Sequence, residues 1–474
     1  MSADGTTYRP SRTIRAKPVS RLIAAMVAAV MACPPLPAQA QSRGGGLPLI
    51  RDAEIEQLLR DYTQPIFKTA GLTGANIRII LINDKSFNAF VVDGRRIFVN
   101  TGALMESTTP NQIIGVMAHE TGHIAGGHLS RLRDELARLQ TAALIGMLLG
   151  AAAMAAGGGS SGAGQAGAAM ITGAQQFATR SLLSYQRAHE EQADRAAVKY
   201  LTATGQSAKG MYETFKRFAD QSMFAARFAD PYAQSHPMPT ERIAALTEIA
   251  RSSPNWDKKD APELQMRHDM MRAKLSGFME PPQTVARRYP ASDTSLPARY
   301  ARAISTYRHS DLRAALVQID ALIAAQPNNP YFYELKGQAL LEGSRPAEAI
   351  APLRHAAQIA QQPTLIQLML GQALVATNDP RYADEAINIL RNALAREPDA
   401  PQAYQQLAMA YGRKGDVAQA DLASAQAAFS RGDIKTAREL AARAKTRLKV
   451  GSPGWVRADD IVATKMPNLP NRPN

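Results

Sequence analysis

The chain has 474 residues, of which 45% are hydrophobic and 20% charged, a composition typical of a globular protein with two to four domains. Its formal net charge is +14, and about +10 remains when residues 1–40 are set aside. Aromatic residues make up only 6% and no long lysine or arginine run remains. This argues against a nucleic-acid-binding protein and favours a basic protein that meets acidic partners or anionic membranes.

Residues 1–40 have the pattern of an export signal. A basic segment precedes the apolar run LIAAMVAAVMA at 22–32, and the small-x-small motif AQA ends at Ala40. The run is too short to span a bilayer, so it predicts cleavage after Ala40 and a periplasmic protein. The alternative is a weak lipobox, VMAC, which would make Cys33 a lipidated first residue. Cys33 is the single cysteine, so a chain cut after Ala40 has no disulfide.

The next segments alternate helical and β-strand patterns. Helical periodicity covers 50–72, and the β-branched run NIRIILIN at 76–83 predicts a strand. An Asp-Gly turn within 87–99 predicts a hairpin. Pro110 is suited to the first turn of the following helix, which contains the motif AHETGHIAGGHLSR.

This motif carries the residues of a metal site. His119 and His123 are four residues apart, so both imidazoles can reach one ion, and Glu120 is placed to act as a general base. Zinc in a hydrolase needs a third protein ligand. His128 is a candidate, but the pattern HExxHxxGxxH places its third histidine at the position of Leu129. On a continuous helix His128 would point away from the metal, which favours a supporting or packing role.

A long apolar run follows the motif. Residues 142–156 read AALIGMLLGAAAMAA and lead into a Gly/Ser/Ala-rich stretch. The run is shorter than the roughly 18 residues of a transmembrane helix. It predicts either a buried or hairpin helix, or an interfacial segment resting on a membrane or a hydrophobic substrate. Helical patterning resumes over 175–205.

The third ligand is predicted on that later helix. Glu190 and Asp194 are four residues apart and share a face. One carboxylate can bind the metal while the other accepts a hydrogen bond from a ligating imidazole and fixes its tautomer. Glu191 is an alternative to Glu190, but it lies only three residues from Asp194.

A proline-rich loop, SHPMPTERIAAL at 235–246, supplies two further candidates. His236 is either an ordinary loop histidine or a functional one near the metal. In the second case it fills the open metal position in a resting state, as a fourth ligand and gate, or donates a hydrogen bond to the oxyanion. Arg242 is a second candidate for contacts at the reaction site.

The C-terminal half repeats itself. Residues 276–295 are proline-rich and weakly periodic and predict a linker between domains. Beyond it, small residues recur at intervals of 34 residues, at Ala303, Gly337 and Gly371. This pattern resembles tetratricopeptide repeats, about four of them over 296–450, followed by a C-terminal tail at 451–474. Such a solenoid has a concave face that suits extended peptides or partner proteins.

The HExxH motif, the E-x-x-x-D pair and the segment NAFVVDGRRIFVNTGAL before them resemble the gluzincin metallopeptidases related to HtpX and the CAAX prenyl protease. The resemblance covers about residues 50–275. The chain looks closest to the exported, repeat-bearing BepA-type branch, because it lacks the clear spanning helices of integral-membrane members. The fold implied is an α+β zinc metallopeptidase domain, mostly helical with a small β-sheet, followed by an all-α tetratricopeptide-like solenoid.

The resemblance also implies roles for individual residues. It makes His119, His123 and Glu190 the ligands of one Zn²⁺ per subunit, Glu120 the general base and Asp194 the carboxylate that accepts a hydrogen bond from a ligating imidazole.

The same resemblance implies how substrate binds. Gluzincins bind an extended peptide alongside an edge strand of the sheet, and residues 87–99 are expected to supply that strand here.

The function implied is endopeptidase action on misfolded or misassembled envelope and outer-membrane proteins. The repeats would bind substrates or partners such as outer-membrane assembly machinery, with peripheral membrane contact through 142–156 as a further option. The alternative is a periplasmic chaperone or assembly adaptor whose protease site is largely latent. Complementation by an inactive variant discriminates the two.

Overall fold

The structure is a computed structural model that describes residues 48–156, 161–224 and 231–465. The predicted export signal and Cys33 lie outside the described residues. From Leu49 onward the chain forms one compact unit. It is mostly helical with one small sheet, as the sequence predicts.

The sheet has four short strands in the order β1-β2-β4-β3. They are β1 Leu49–Ile50, β2 Arg78–Ile82, β3 Ala89–Asp93 and β4 Arg96–Asn100. β2 and β4 are parallel, and the other pairs are antiparallel. The central strand β4 is buried from Ile97 onward, whereas β3 lies at one edge of the sheet, within the segment predicted to supply an edge.

Ten helices among the described residues surround this sheet and continue to the first repeats. They are α1 Ala53–Thr69, α2 Thr101–Glu106, α3 Pro110–Gly126, α4 His128–Ala156, α5 Ser161–Ala203, α6 Lys209–Phe224, α7 Pro231–Ser235, α8 Thr240–Arg251, α9 Pro262–Met279 and α10 Pro282–Arg288. Helix α3 lies in the centre of the core. Its glycines allow close packing, since a Cβ on Gly115 would lie 2.5 Å from Met211 and one on Gly122 would lie 2.9 Å from the Ala193 carbonyl oxygen.

Helices α4 and α5 form a long antiparallel pair. Residues 142–156, predicted as a buried, hairpin or interfacial segment, belong to an exposed arm of this hairpin, where Leu148 is 62% exposed. The helix continues back to His128, so it is longer than the apolar run suggests. Among the described residues, one helix, His128–Met154 with a mean hydropathy of 1.5, is long and apolar enough to cross a membrane by length and composition.

The repeats are helical pairs stacked in sequence. They comprise α11 Leu296–His309, α12 Leu312–Ala325, α13 Pro330–Glu342, α14 Pro346–Ile359, α15 Thr364–Ala376, α16 Ala383–Arg396, α17 Pro401–Arg413, α18 Val417–Ser430, α19 Ile434–Lys445 and α20 Pro453–Ala463. The 34-residue spacing has a packing cause, because a Cβ on Gly337 would lie 2.3 Å from Leu353 and one on Gly371 would lie 2.5 Å from Leu390. The described residues thus hold five pairs rather than about four. The last pair extends past 450 into the predicted tail, where Ile461 is buried.

The predicted linker at 276–295 differs from the structure. Most of it is helical, as the end of α9 and the short helix α10. Gly277 is a packing glycine rather than a flexible one, since a Cβ there would lie 2.7 Å from Cβ of Ile304. This contact is long-range, so the local proline and glycine content does not reveal it.

A buried polar network ties the N-terminal half to the repeats. Lys274 on α9 lies 2.8 Å from Asp52 and 3.2 Å from Glu54, and the Tyr300 hydroxyl donates to Glu54 at 2.9 Å. Glu334 on α13 lies 3.9 Å from the same ammonium. Burial raises the pKa of Glu334 to about 8, so this carboxyl holds its proton at pH 7.

His268 on α9 is a second buried polar group in this region. Its Nδ1 lies 3.0 Å from the Tyr62 hydroxyl, and its Nε2 lies 2.8 Å from the Ser107 carbonyl oxygen. Burial, with a smaller contribution from Arg272, lowers the pKa of His268 to about 4, although the Ser107 bond opposes this. The imidazole is therefore neutral in the folded protein at neutral pH.

Candidate metal centre

Three separate elements bring four predicted residues to one point. Helix α3 carries His119 and His123, helix α5 carries Glu190, and the loop after α7 carries His236. One potential ligand atom from each lies within 4.8 Å of all the others. The four residues are buried or nearly so.

Most of the separations between these atoms are close to those around a small tetrahedral cation. His119 Nε2 lies 3.0 Å from His123 Nε2, 3.3 Å from His236 Nδ1 and 3.4 Å from Glu190 Oε2. Glu190 Oε1 lies 3.4 Å from His123 Nε2, and Oε2 lies 3.0 Å from His236 Nδ1. Four ligands at about 2.0–2.1 Å from a tetrahedral zinc would be about 3.3 Å apart. The donor set, three imidazole nitrogens and a carboxylate, is also one that zinc accepts.

Glu120 faces the same point but is not one of the converging ligands. It is 1% exposed, and its two carboxylate oxygens have no hydrogen-bond partner among the described residues. The Nε2 atom of His236 lies 3.4 Å from Glu120 Oε1. Burial raises the pKa of Glu120, although His236 and His119 act in the opposite direction. A buried carboxylate without partners needs a water or a proton, which suits a group that exchanges protons.

Asp194 and Arg242 contact the candidate ligands His119 and Glu190. Asp194 Oδ1 lies 2.9 Å from His119 Nδ1, on the ring edge opposite the converging atoms. Arg242 donates to both Asp194 oxygens at 2.7 and 2.8 Å, and its Nη1 lies 2.7 Å from Glu190 Oε2. Burial acts to raise the pKa of Asp194, but Arg242 and His119 outweigh it and keep that pKa below its ordinary value.

This geometry changes the prediction for Arg242. Arg242 is 7% exposed, and its guanidinium contacts Asp194, Glu190 and the Pro237 carbonyl oxygen. It therefore orients two carboxylates, one of them in the converging cluster, and the His236 loop. The exposed alternative ligand, Glu191, pairs with Arg195 on the surface.

Comparisons with known proteins identify the domains that carry this cluster and the repeats. Residues 50–250 match the model described as Peptidase family M48, and residues 300–363 match a tetratricopeptide repeat model. The chain carries an M48 peptidase domain. It is 25% identical over 423 residues to the beta-barrel assembly-enhancing protease of Escherichia coli (strain K12), a match that covers 88% of this chain and 84% of the relative. The protein of the same name from Yersinia pestis is also 25% identical, with 87% of this chain and 83% of the relative covered.

M48 peptidases are metal-dependent, so the match supports a metallopeptidase, and the cluster of His119, His123, Glu190 and His236 could hold its metal. The match supports the resemblance inferred from HExxH and E-x-x-x-D, and it ends at residue 250, near the end of α8.

One residue of the M48 domain takes a position that a continuous helix would not give it. Helix α3 ends at Gly126, Gly127 is left-handed with φ of 62°, and α4 starts at His128. This turn brings His128 Nδ1 to 3.0 Å from Nδ1 of His123 and stacks its ring on His189. A Cβ on Gly126 would lie 2.2 Å from His128. The pair Gly126-Gly127 is the sequence signal for this helix end, because glycine readily adopts the left-handed conformation that ends a helix.

Proposed function

We propose that the protein is a zinc-dependent endopeptidase of the bacterial periplasm that cleaves misfolded or misassembled envelope proteins, outer-membrane proteins among them. The observation that carries the activity is the convergence of His119, His123 and Glu190 beside the buried, unpartnered Glu120. The names of the relatives, beta-barrel assembly-enhancing proteases, support the substrate class. The predicted signal at residues 1–40 supports the location.

In this proposal His119, His123 and Glu190 hold one Zn²⁺. A bound zinc supplies Lewis acidity that polarises a water and the scissile carbonyl. Glu120 takes the proton from the attacking water and delivers it to the leaving amine. Asp194 fixes the tautomer of His119 that presents Nε2 to the metal.

His236 is proposed as a fourth ligand in a resting state. Its Nδ1 faces the other ligand atoms, while its Nε2 faces Glu120. In this position it occupies the place that a substrate carbonyl needs. The loop that follows α7 must therefore move during turnover, after which His236 acts as a gate or donates to the oxyanion.

The edge strand β3 is the proposed docking strand for substrate. Its pairing in the described residues is with β4 alone, so its outer backbone groups face away from the sheet. An extended polypeptide can add to such an edge through main-chain hydrogen bonds with little sequence preference, as an unfolded substrate requires. The concave face of the repeats is proposed to present substrates or to bind partner proteins, and the relatives' names point to the outer-membrane assembly machinery.

The test is the variant Glu120→Gln with a permanently unfolded protein, reduced and alkylated α-lactalbumin, as substrate. We expect normal zinc content and a loss of cleavage of about 10²–10⁴-fold, because Gln keeps the shape but cannot take the proton. Glu191→Gln, an exposed glutamate on α5, is the matched control and should cleave like the wild type. Wild-type cleavage by Glu120→Gln would refute the mechanism.

A second candidate is a chaperone or assembly adaptor with a largely latent peptidase site. The observation that favours it is His236 among the converging ligand atoms, which fits a closed site. Complementation of a deletion strain by Glu120→Gln separates the two. Full rescue of envelope integrity would favour the adaptor, and no rescue the peptidase.

A further inference from the structure

The hairpin of α4 and α5 carries its large apolar residues on the outside. Seven such side chains are between 50% and 63% exposed: Leu144, Ile145, Leu148 and Leu149 on α4, and Met170, Phe177 and Leu183 on α5. Single exposed apolar residues are common on protein surfaces. A patch of this size on two adjoining helices instead indicates a surface that binds a membrane or another molecule.

Small residues lie between the two arms. A Cβ on Gly146 of α4 would lie 2.6 Å from Cβ of Ala174 on α5, so the helices approach closely there. A water-soluble helix pair buries its large apolar residues between the helices and exposes its polar ones. The hairpin does the reverse, with small residues inside and large apolar residues outside, which is the packing of helices in lipid.

Charged residues are confined to the base of the hairpin. Residues 139–179 contain no Asp, Glu, Lys, Arg or His. Directly below them lies a collar of exposed arginines, defined by Arg131, Arg133 and Arg138 on α4 and Arg180 and Arg187 on α5. The same base segments, 128–138 and 180–189, contain two carboxylates, Asp134 and Glu135. The collar is therefore net positive.

We propose that the α4/α5 hairpin docks the protein on a lipid bilayer with anionic headgroups, its apolar arms in the hydrocarbon and its arginine collar on the phosphates. The apolar part of α4, residues 139–156, is about 27 Å long at 1.5 Å per residue, close to the roughly 30 Å of the hydrocarbon layer. A protein partner would tolerate a polar rim within this surface, whereas hydrocarbon requires the absence of charge that the arms show.

The docking places the metal centre at the membrane surface. The first residue of α4 is His128, which contacts His123, and α5 carries Glu190 only three residues after Arg187 of the collar. The cluster thus lies at the level of the headgroups. Polypeptides that emerge from or fail to insert into the membrane would meet it there.

The test is flotation of the purified chain from residue 41 with vesicles of phosphatidylcholine alone or with about 30% phosphatidylglycerol, because anionic lipids attract basic surfaces. Starting at residue 41 removes the apolar run at 22–32, which could bind lipid itself, and keeps the compact unit from Leu49 intact. We expect the wild type to float with the anionic vesicles and Leu148→Glu/Leu149→Glu to stay at the bottom. Val317→Glu, at an equally exposed valine on α12, is the matched control and should float.

Cleavage of soluble unfolded α-lactalbumin should be unchanged in Leu148→Glu/Leu149→Glu, which separates loss of docking from loss of folding or of activity. Arg131→Glu/Arg133→Glu should reduce flotation most at low ionic strength. The proposal is overturned if the wild type floats with neither vesicle, or if the double glutamate variant floats as well as the wild type. It is also overturned if light scattering shows a dimer that Leu148→Glu/Leu149→Glu abolishes and that persists when vesicles are added.

Discussion

Lys274→Met should reveal how strongly the buried network joins the peptidase domain to the repeats. In the wild type the ammonium lies 3.2 Å from Glu54 and 2.8 Å from Asp52. Glu334 already holds its proton at pH 7, and Asp52 is partly exposed, so the buried Glu54 is the carboxyl that the loss of the ammonium affects most. Removal of one partner of a buried ion pair costs about 3–5 kcal/mol.

The protonation of Glu54 sets an independent limit on that cost. Burial raises the pKa of Glu54 above its ordinary 4.5 even with Lys274 present, and the variant raises it further. The variant can fold with a neutral Glu54, which at pH 7 costs about 3 kcal/mol at 1.4 kcal/mol per pH unit. A raised folded-state pKa means that stability is lost as pH rises above 4.5. The difference from the wild type should therefore shrink to below about 1 kcal/mol at pH 5.

The assay is urea unfolding at pH 7 and pH 5, followed by tryptophan fluorescence. Trp256 reports on the peptidase domain and Trp455 on the last pair of repeats, so coincident transitions would show that they unfold together. Glu54→Gln in the Lys274→Met background should recover most of the loss at pH 7. The reasoning fails if Lys274→Met costs less than about 1 kcal/mol at pH 7, or if its cost does not depend on pH.

Three further predictions concern other buried contacts. The pKa of His268 is lowered to about 4 in the folded protein, against an ordinary 6.5, so the unfolded chain binds more protons between these pH values. The free energy of unfolding should therefore fall by up to about 3 kcal/mol as pH drops from 6.5 to 4. In urea titrations, His268→Gln should flatten this pH dependence. His128→Ala should weaken zinc binding about 10–100-fold in a chelator competition, while His309→Ala should not. Gly122→Ala should displace α5 and lower both zinc affinity and melting temperature, whereas Gly173→Ala, in open space, should raise stability by up to about 1 kcal/mol.

Much of the metal centre could be predicted because its signals are local. The four-residue spacings of His119 to His123 and of Glu190 to Asp194 place each pair on one helix face, whatever the rest of the fold does. The hairpin and its edge strand β3 are equally local, since an Asp-Gly turn and alternating residues define them.

The remaining features depend on contacts far apart in sequence. The local sequence around Gly277 is typical of a linker, and only the folded structure shows its close contact with Ile304. Likewise, the ion pairs of Arg242 with Asp194 and Glu190 are seen only in the folded structure. A continuous helix would point His128 away from the metal, whereas the left-handed Gly127 places it next to His123. Sequence periodicity describes one helix or strand at a time and does not predict these long-range contacts.

X-ray absorption at the zinc edge, on the purified protein from residue 41, tests the central claim most directly. The account predicts one zinc per chain with three nitrogen ligands and one oxygen ligand at about 2.0–2.1 Å, and replacement of one nitrogen by oxygen in His236→Ala. Zinc lost on dialysis, or bound in a shell unchanged by His119→Ala and Glu190→Gln, would contradict a metal centre built from these residues.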